Sequence, residues 1–443
     1  MFDIKVITIY ELLSFRQCYY CFLALFFFLK NTITEYSHFF RESIVNEIKT
    51  RFKNIKGHNN DDGIDRLSHV YTTVLFVVIA LIVTTAHFVG KNIHCWIPAE
   101  LNKDHYQHYL ENYCWISNTY LVEFHEELPK DIPNRIEREI TYYQWVPVLL
   151  LFQAFLFKVP NVIWRLFHSH GGVSLHNIVE LAEKTQATPP KDRKATIETL
   201  ASIIDHWLMT ERPWKDNRYT RARSKMSERC SFMFSKRSGN YLAGMYLIVK
   251  LLYFANVVGQ FFILNEFMAT DYSVYGFEFL EKMRDGKPWR NSPRFPLVTF
   301  CDFDVRQLQN VLRYTIQCVL PINLFNEKFY VFLWFWFFIV ALLSGISLLK
   351  FLITTCDNNS RSRFVKKYLA IDGHIQDKNS FDKKLSKRFA DHYLREDGIF
   401  VLRVITMNST DLVTCDLVSE LWRNTRRATN RMPRGIRRAH THK

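Results

Sequence analysis

The sequence predicts an all-α membrane protein. It is read as a bundle of four transmembrane helices with disulfide-stapled extracellular loops and a helical cytoplasmic domain. Three observations carry this prediction. Four long apolar stretches are almost free of charge. The segments between them alternate in net charge. Four of the cysteines fall as two pairs in the two segments that the charge pattern assigns to the outside.

Charged side chains are absent from Leu67 to Gly90 and again from Phe329 to Leu349. Each stretch reaches the roughly 18–20 apolar residues that cross a hydrocarbon core. Ile140 to Trp164 is interrupted only by Lys158, and Ser238 to Asn265 only by Lys250. Soluble helices of that length carry charge along one face. The predicted spans are 70–90, 144–164, 241–264 and 329–353. The mean hydropathy of −0.11 conceals them, because the apolar residues are clumped. The 38 Phe residues and the 16% aromatic content suit belts at a membrane interface.

The connecting segments fix the orientation. Counting Lys and Arg against Asp and Glu gives +1 for residues 1–69, −4 for 90–140, +6 for 165–240, 0 for 265–328 and +9 for 354–443. Basic loops stay on the cytoplasmic side. The loop at 165–240 and the region at 354–443 are therefore read as cytoplasmic, and the loops at 91–143 and 265–328 as extracellular. Both termini lie inside. The formal charge of +15 is then a consequence of topology, and no nucleic-acid partner is needed to account for it.

Cys95 and Cys114 lie in the first extracellular loop, and Cys301 and Cys318 in the second. Four cysteines on the oxidising side read as two disulfides, with three connectivities open to sequence alone. Cys18, Cys21, Cys230, Cys356 and Cys415 fall on the reducing side. The sequons at Asn358 and Asn408 also lie inside and are expected to carry no glycan.

Residues 1–35 are read as an uncleaved N-terminal extension. The apolar run Cys18–Leu29 is short for a span and lacks a small-residue cleavage site after it. Residues 36–69 form a cytoplasmic amphipathic helix and linker. Phe39, Phe40, Ile44, Val45, Ile48, Phe52 and Ile55 recur at helical spacing. Such a helix lies on the inner membrane surface or folds into a pore mouth.

The second span opens with Tyr142, Tyr143, Gln144, Trp145, Val146 and Pro147. This run resembles the signature of innexins, the invertebrate gap-junction proteins. Cys95-Trp96-Ile97-Pro98 and Asn112-Tyr113-Cys114-Trp115 are similar to the family's first extracellular loop. Cys301-Asp302-Phe303 and Gln317-Cys318-Val319-Leu320-Pro321 are similar to its second. The resemblance implies subunits in an octameric ring around a wide pore. It implies an apposed hemichannel on the neighbouring cell, and assembly with like subunits or other innexins in the plasma membrane at gap junctions. It further implies the pairs Cys95–Cys318 and Cys114–Cys301. The long N-terminal extension departs from the family pattern.

Single residues carry alternative readings. Pro147, and Pro160 near the other end of the span, mark either a gating hinge or a fixed bend. Lys250, about 18 Å into the third span at 1.5 Å per residue, favours a contact between helices or subunits, with pore lining second. Lys158 lies near an end and is expected to snorkel. His94, His105, His108 and His125 are read as solvated, without a metal. The basic run Arg212–Arg237 anchors its loop inside, or meets anionic lipid. No phosphate loop, zinc spacing or nucleophile elbow appears, so the chain is read as no enzyme and without a cofactor. Two competing readings are an undocked hemichannel that releases small solutes, and a non-conducting adhesion or adaptor subunit.

Overall fold

The computed structural model describes residues 61–89, 92–97, 104–122, 125–186, 188–210, 239–268, 271–286, 294–374 and 380–431. The N-terminal extension, the helix expected at 38–56, the run Arg212–Arg237 and the last residues of the tail lie outside the described residues.

Along the chain, Gly63–Arg66 and a π-helical turn, Leu67–Thr72, lead into α1 (Thr73–Val89). There follow β1 (His94–Cys95), α2 (Asp104–Ile116), β2 (Thr119–Tyr120), α3 (Ile132–Ile136), β3 (Glu139–Ile140) and α4 (Val146–His168). Next come α5 (Leu175–Thr185), α6 (Pro190–Thr210), α7 (Tyr241–Met268) and α8 (Tyr275–Arg284). The hairpin β4 (Val298–Gln307) and β5 (Asn310–Val319) precedes α9 (Pro321–Cys356). The chain closes with α10 (Asn358–Ile371), α11 (Ser380–Arg388), a π-helical turn (Phe389–Leu394), α12 (Arg395–Asn408) and α13 (Asp411–Arg431).

Four helices are long and apolar enough to cross a membrane: Gly63–His87, Val146–His168, Tyr241–Met268 and Pro321–Cys356. At 1.5 Å per residue, the 36 residues of α9 run about 54 Å, well beyond a hydrocarbon core of roughly 30 Å. Proline opens both α6 and α9, where its missing N–H leaves no bond unmade. The Asp357 side chain caps α10, accepting from the Asn359 N–H at 2.9 Å.

The structure divides into two units. One comprises Leu67–Val162 and Lys250–Ile346. Its core includes the rings of Phe76, Phe157 and Phe337, with centroids 5.6 to 5.9 Å apart. It also holds a five-stranded antiparallel sheet in the order β1-β5-β4-β2-β3. The hairpin supplies the centre, and strands of the first connection flank it on both sides. Leu308 turns the hairpin at φ 54° and is 99% exposed.

The other unit comprises the described residues through Arg66, with Ile163–Val249 and Ser347–Lys443. It is helical. α5 buries Leu175, Ile178, Val179 and Ala182, the one-sided stripe of an amphipathic helix. α6 buries Ile197, Leu200, Ala201, Ile204 and Leu208 in the same manner. Arg193 of α6 pairs with Asp416 of α13 at 2.5 Å. Trp207 donates to the Gly171 carbonyl at 3.0 Å. The loop helices and the C-terminal helices therefore fold together.

Candidate functional site

The two disulfide-bearing connections are tied by covalent and polar bonds. Cys95 on β1 lies opposite Cys318 on β5 in the sheet register and bonds to it. Cys114, in the last turn of α2, bonds to Cys301 on β4. The bridges span 223 and 187 residues of sequence. All four cysteines are buried. The sulfurs of Cys95, Cys114 and Cys318 lie within 4.8 Å of one another. Each is already in a disulfide, so none offers the thiolate that metal binding needs.

A polar cluster beside these bridges reinforces the join. Asp302 follows Cys301 on β4. Its carboxylate accepts from Arg135 at 2.8 Å, Tyr120 at 3.0 Å and Thr315 at 2.6 Å. The Arg135 guanidinium also lies over the Tyr120 ring, 5.9 Å from its centroid. Burial, and then the Asp302 charge, push the Tyr120 hydroxyl up to about 12. Nothing in residues 120 and 135 marked them as partners of Asp302. The adjacency of Asp302 to Cys301 was the only signal.

The aromatic run at the head of α4 has two faces. The Tyr142 hydroxyl donates to the Arg294 carbonyl at 2.7 Å, and its ring meets Phe295 edge-on at 5.8 Å. Tyr143 and Gln144 both donate to the Trp115 carbonyl, at 3.3 and 2.5 Å. Gln144 also reaches Asn118 Oδ1 at 3.2 Å. Trp115 follows Cys114, so these two residues brace the end of α2. Trp145 points away and is 59% exposed. With Val148, Leu149, Phe152 and Phe267 it lines an apolar groove of about 230 Å³.

Pro147 is the second residue of α4. A proline in the first turn removes no ladder bond, so it puts no kink in the helix. Pro160 is the proline inside the helix, and there the carbonyl one turn back loses its donor. Lys250 is buried, 4% exposed, within α7. One turn apart on the same helix, Gln260 donates to Asn256 at 3.2 Å. The Lys158 ammonium lies 3.5 Å from His69 Nδ1 in the first span's π-helical turn, and Asn161 lies 3.5 Å from the other ring nitrogen.

The histidines are dispersed. His94 lies 3.5 Å from Glu111, and His108 meets Asn112 at 3.1 Å. His125 is exposed. The His105 side chain lies outside the described residues. Among the described residues, the only cluster with metal-ligand spacing is the trio of disulfide-bonded cysteines above.

Four membrane-length helices, with their connections cross-linked by disulfides, define a multi-pass membrane protein. The innexin family model matches residues 61–425. The chain is 37% identical over 373 residues to innexin unc-9 of Caenorhabditis elegans, covering 84% of this chain and 94% of that protein. It is 34% identical to innexin-3 of the same nematode, with 82% and 83% covered. It is 33% identical to innexin-19 of Caenorhabditis briggsae, with 83% and 87% covered. The chain belongs to the innexin family, whose members are gap-junction subunits.

Proposed function

We propose that this chain is a pore-forming gap-junction subunit that passes ions and small molecules between adjacent cells. Like subunits form a ring, an octamer, and two rings on apposed cells dock through the disulfide-tied loops. Both termini face the cytoplasm, as the +6 and +9 charges of the 165–240 and 354–443 segments favour. Transport is passive, with selectivity set by pore width and lining charge.

The observation that carries this reading is the double cross-link between the loops. Docking needs a face of fixed shape before contact. Two buried disulfides and the Asp302 cluster hold β1, α2 and the β4–β5 hairpin in one arrangement. Within the spans, Lys250 is assigned to contact between helices, because it is buried in the single chain. Pro160, inside the second span, is assigned as the residue that bends it, with Pro147 as a helix starter.

The test is junctional conductance between two apposed cells, both expressing the full chain, against pairs with expression on one side. Current that requires both cells is expected. Current at the unpaired surface alone would favour the undocked hemichannel. Surface delivery without any current would favour the adhesion reading.

A further inference from the structure

A cavity in the helical unit contains an arginine whose charge no carboxylate balances. The cavity measures about 20 Å³ and is lined by Ala243, Phe351, Thr354, Thr355, Arg361, Glu396, Ile399, Phe400 and Arg403. Its walls come from the first turn of α7, the last turns of α9, and helices α10 and α12.

The two arginines differ. Arg361 is neutralised on both sides, by Glu396 at 3.3 Å and Asp391 at 3.6 Å. Arg403 has no acidic partner within 4.0 Å among the described residues. Its Nη2 donates to Ser360 Oγ at 3.0 Å, and its guanidinium lies 5.6 Å from the centroid of the Phe364 ring. The remaining donors of its fork have no acceptor among the described residues. Burial, and then the like charge of Arg361, pull it down to about 10. Arg403 is half-buried; a cation held partly out of water without a carboxylate partner is costly in a fold, and an anion from outside offsets that cost.

We infer that Arg403 and the hydroxyl of Thr355 form a binding site for a phosphate group presented at the cavity mouth. The planar guanidinium fork matches two phosphate oxygens. The volume admits about one water-sized group, so phosphate oxygens enter and the rest of the molecule stays outside. A whole nucleotide does not fit. Glu396 restricts the anion to the Arg403 side of the cavity.

The same phosphate chemistry has two sources, a phosphoinositide headgroup or a soluble phosphate ester. The lining favours the lipid, because Ala243 opens one span helix and Thr354 and Thr355 end another. With the orientation proposed above, both ends reach the headgroups of the cytoplasmic leaflet. The inference rests on that orientation for its choice of lipid, but the binding itself needs neither docking nor conductance.

The experiment uses the purified full-length chain in detergent and the affinities of three probes: a short-chain phosphatidylinositol bisphosphate, the matching free inositol phosphate, and inorganic phosphate. Saturable lipid binding is expected, with Arg403→Gln weakening it about tenfold or more, the worth of a charge-assisted hydrogen bond. Arg403→Lys, which keeps the charge and loses the fork, should fall between. Should Arg403→Gln fail to fold, Arg403→Lys and the ligand-induced rise in unfolding temperature of the natural chain give the same reading. Equal affinity for lipid and free headgroup would keep the phosphate site and assign it to soluble esters. Absence of binding by all three probes, or undiminished binding in both variants, would overturn the proposal. Since the assay is made in detergent, a failed conductance measurement leaves its outcome unaffected.

Discussion

The guanidinium of Arg135 lies 2.8 Å from the carboxylate of Asp302, although 167 residues separate them. Both side chains are mostly buried. The pair joins α3 of the first disulfide-bearing connection to β4 of the second, so removing it should loosen the face that the bridges hold. Arg135→Ala is expected to cost about 1–2 kcal/mol, since Asp302 keeps its Tyr120 and Thr315 donors. A thermal unfolding scan of the purified chain checks this, and an unchanged midpoint would contradict it.

The two disulfides sit close enough to exchange. Cys95→Ser frees Cys318, whose sulfur lies within 4.8 Å of Cys114. A thiolate at that range attacks the neighbouring disulfide. The single variant should therefore give a mixture in which Cys318 is joined to Cys114, the Cys114–Cys301 bond is broken and Cys301 is released as a free thiol, resolved by peptide mapping. The double variant Cys95→Ser, Cys318→Ser should keep Cys114–Cys301 intact. It should lose about 2–5 kcal/mol, together with junctional current.

Asp397 predicts a pH dependence. Its carboxylate is 4% exposed and accepts from the backbone N–H groups of Tyr241 and Ala243 at 2.9 and 3.0 Å. Its own N–H donates to the Gly239 carbonyl at 2.8 Å. Burial pushes this carboxyl up to about 7, and the nearby Glu396 adds to the rise, against the N–H donors that oppose it. The unfolded value is roughly 3.9. The folded state thus prefers the protonated acid. That stabilisation is complete below about pH 4 and is lost as pH rises towards 7, a change on the order of 4 kcal/mol by linkage. Asp397→Asn should flatten this slope and unfold at a higher temperature than the natural chain at pH 8. Equal slopes between pH 4.5 and 8 would refute the assignment.

Gly276 lies under the Trp334 indole, and a Cβ there would sit 2.0 Å from the ring. Trp334 is stacked on Phe338 and buried, with its Nε1 donating to the Ser273 carbonyl at 3.0 Å. The ring is packed against Phe277, Phe335 and Phe338. Gly276→Ala should cost about 1–3 kcal/mol by overpacking, seen as a lowered unfolding midpoint. Gly286→Asp, with nothing within 4 Å of its Cβ position, is a control for space but not for backbone, because its φ is +65°. Gly63→Ala, also with open space and without that φ, is the better control.

The sequence by itself determined the four spans, the placing of two cysteines in each of two connecting loops, and the family. Each depends on information that lies along the chain. Lipid leaves a span no polar partner except its own backbone, so a run of apolar residues declares it. The aromatic run from Tyr142 to Pro147 declared the family in the same local way. Only the tertiary structure decided what those residues touch. The five-stranded sheet was not legible, because β1, β2 and β3 are two residues long and exist only through pairing across distant segments. Asp397 carries no mark along the chain; only the fold sets its carboxylate on the N–H groups of the first turn of α7. Pro147 reads equally along the chain as a gating hinge or a fixed bend, and the helix boundary adds that it stands in the first turn, where its missing N–H breaks no ladder bond. Partnership across a fold depends on which surfaces meet, and hydropathy along a chain does not encode that.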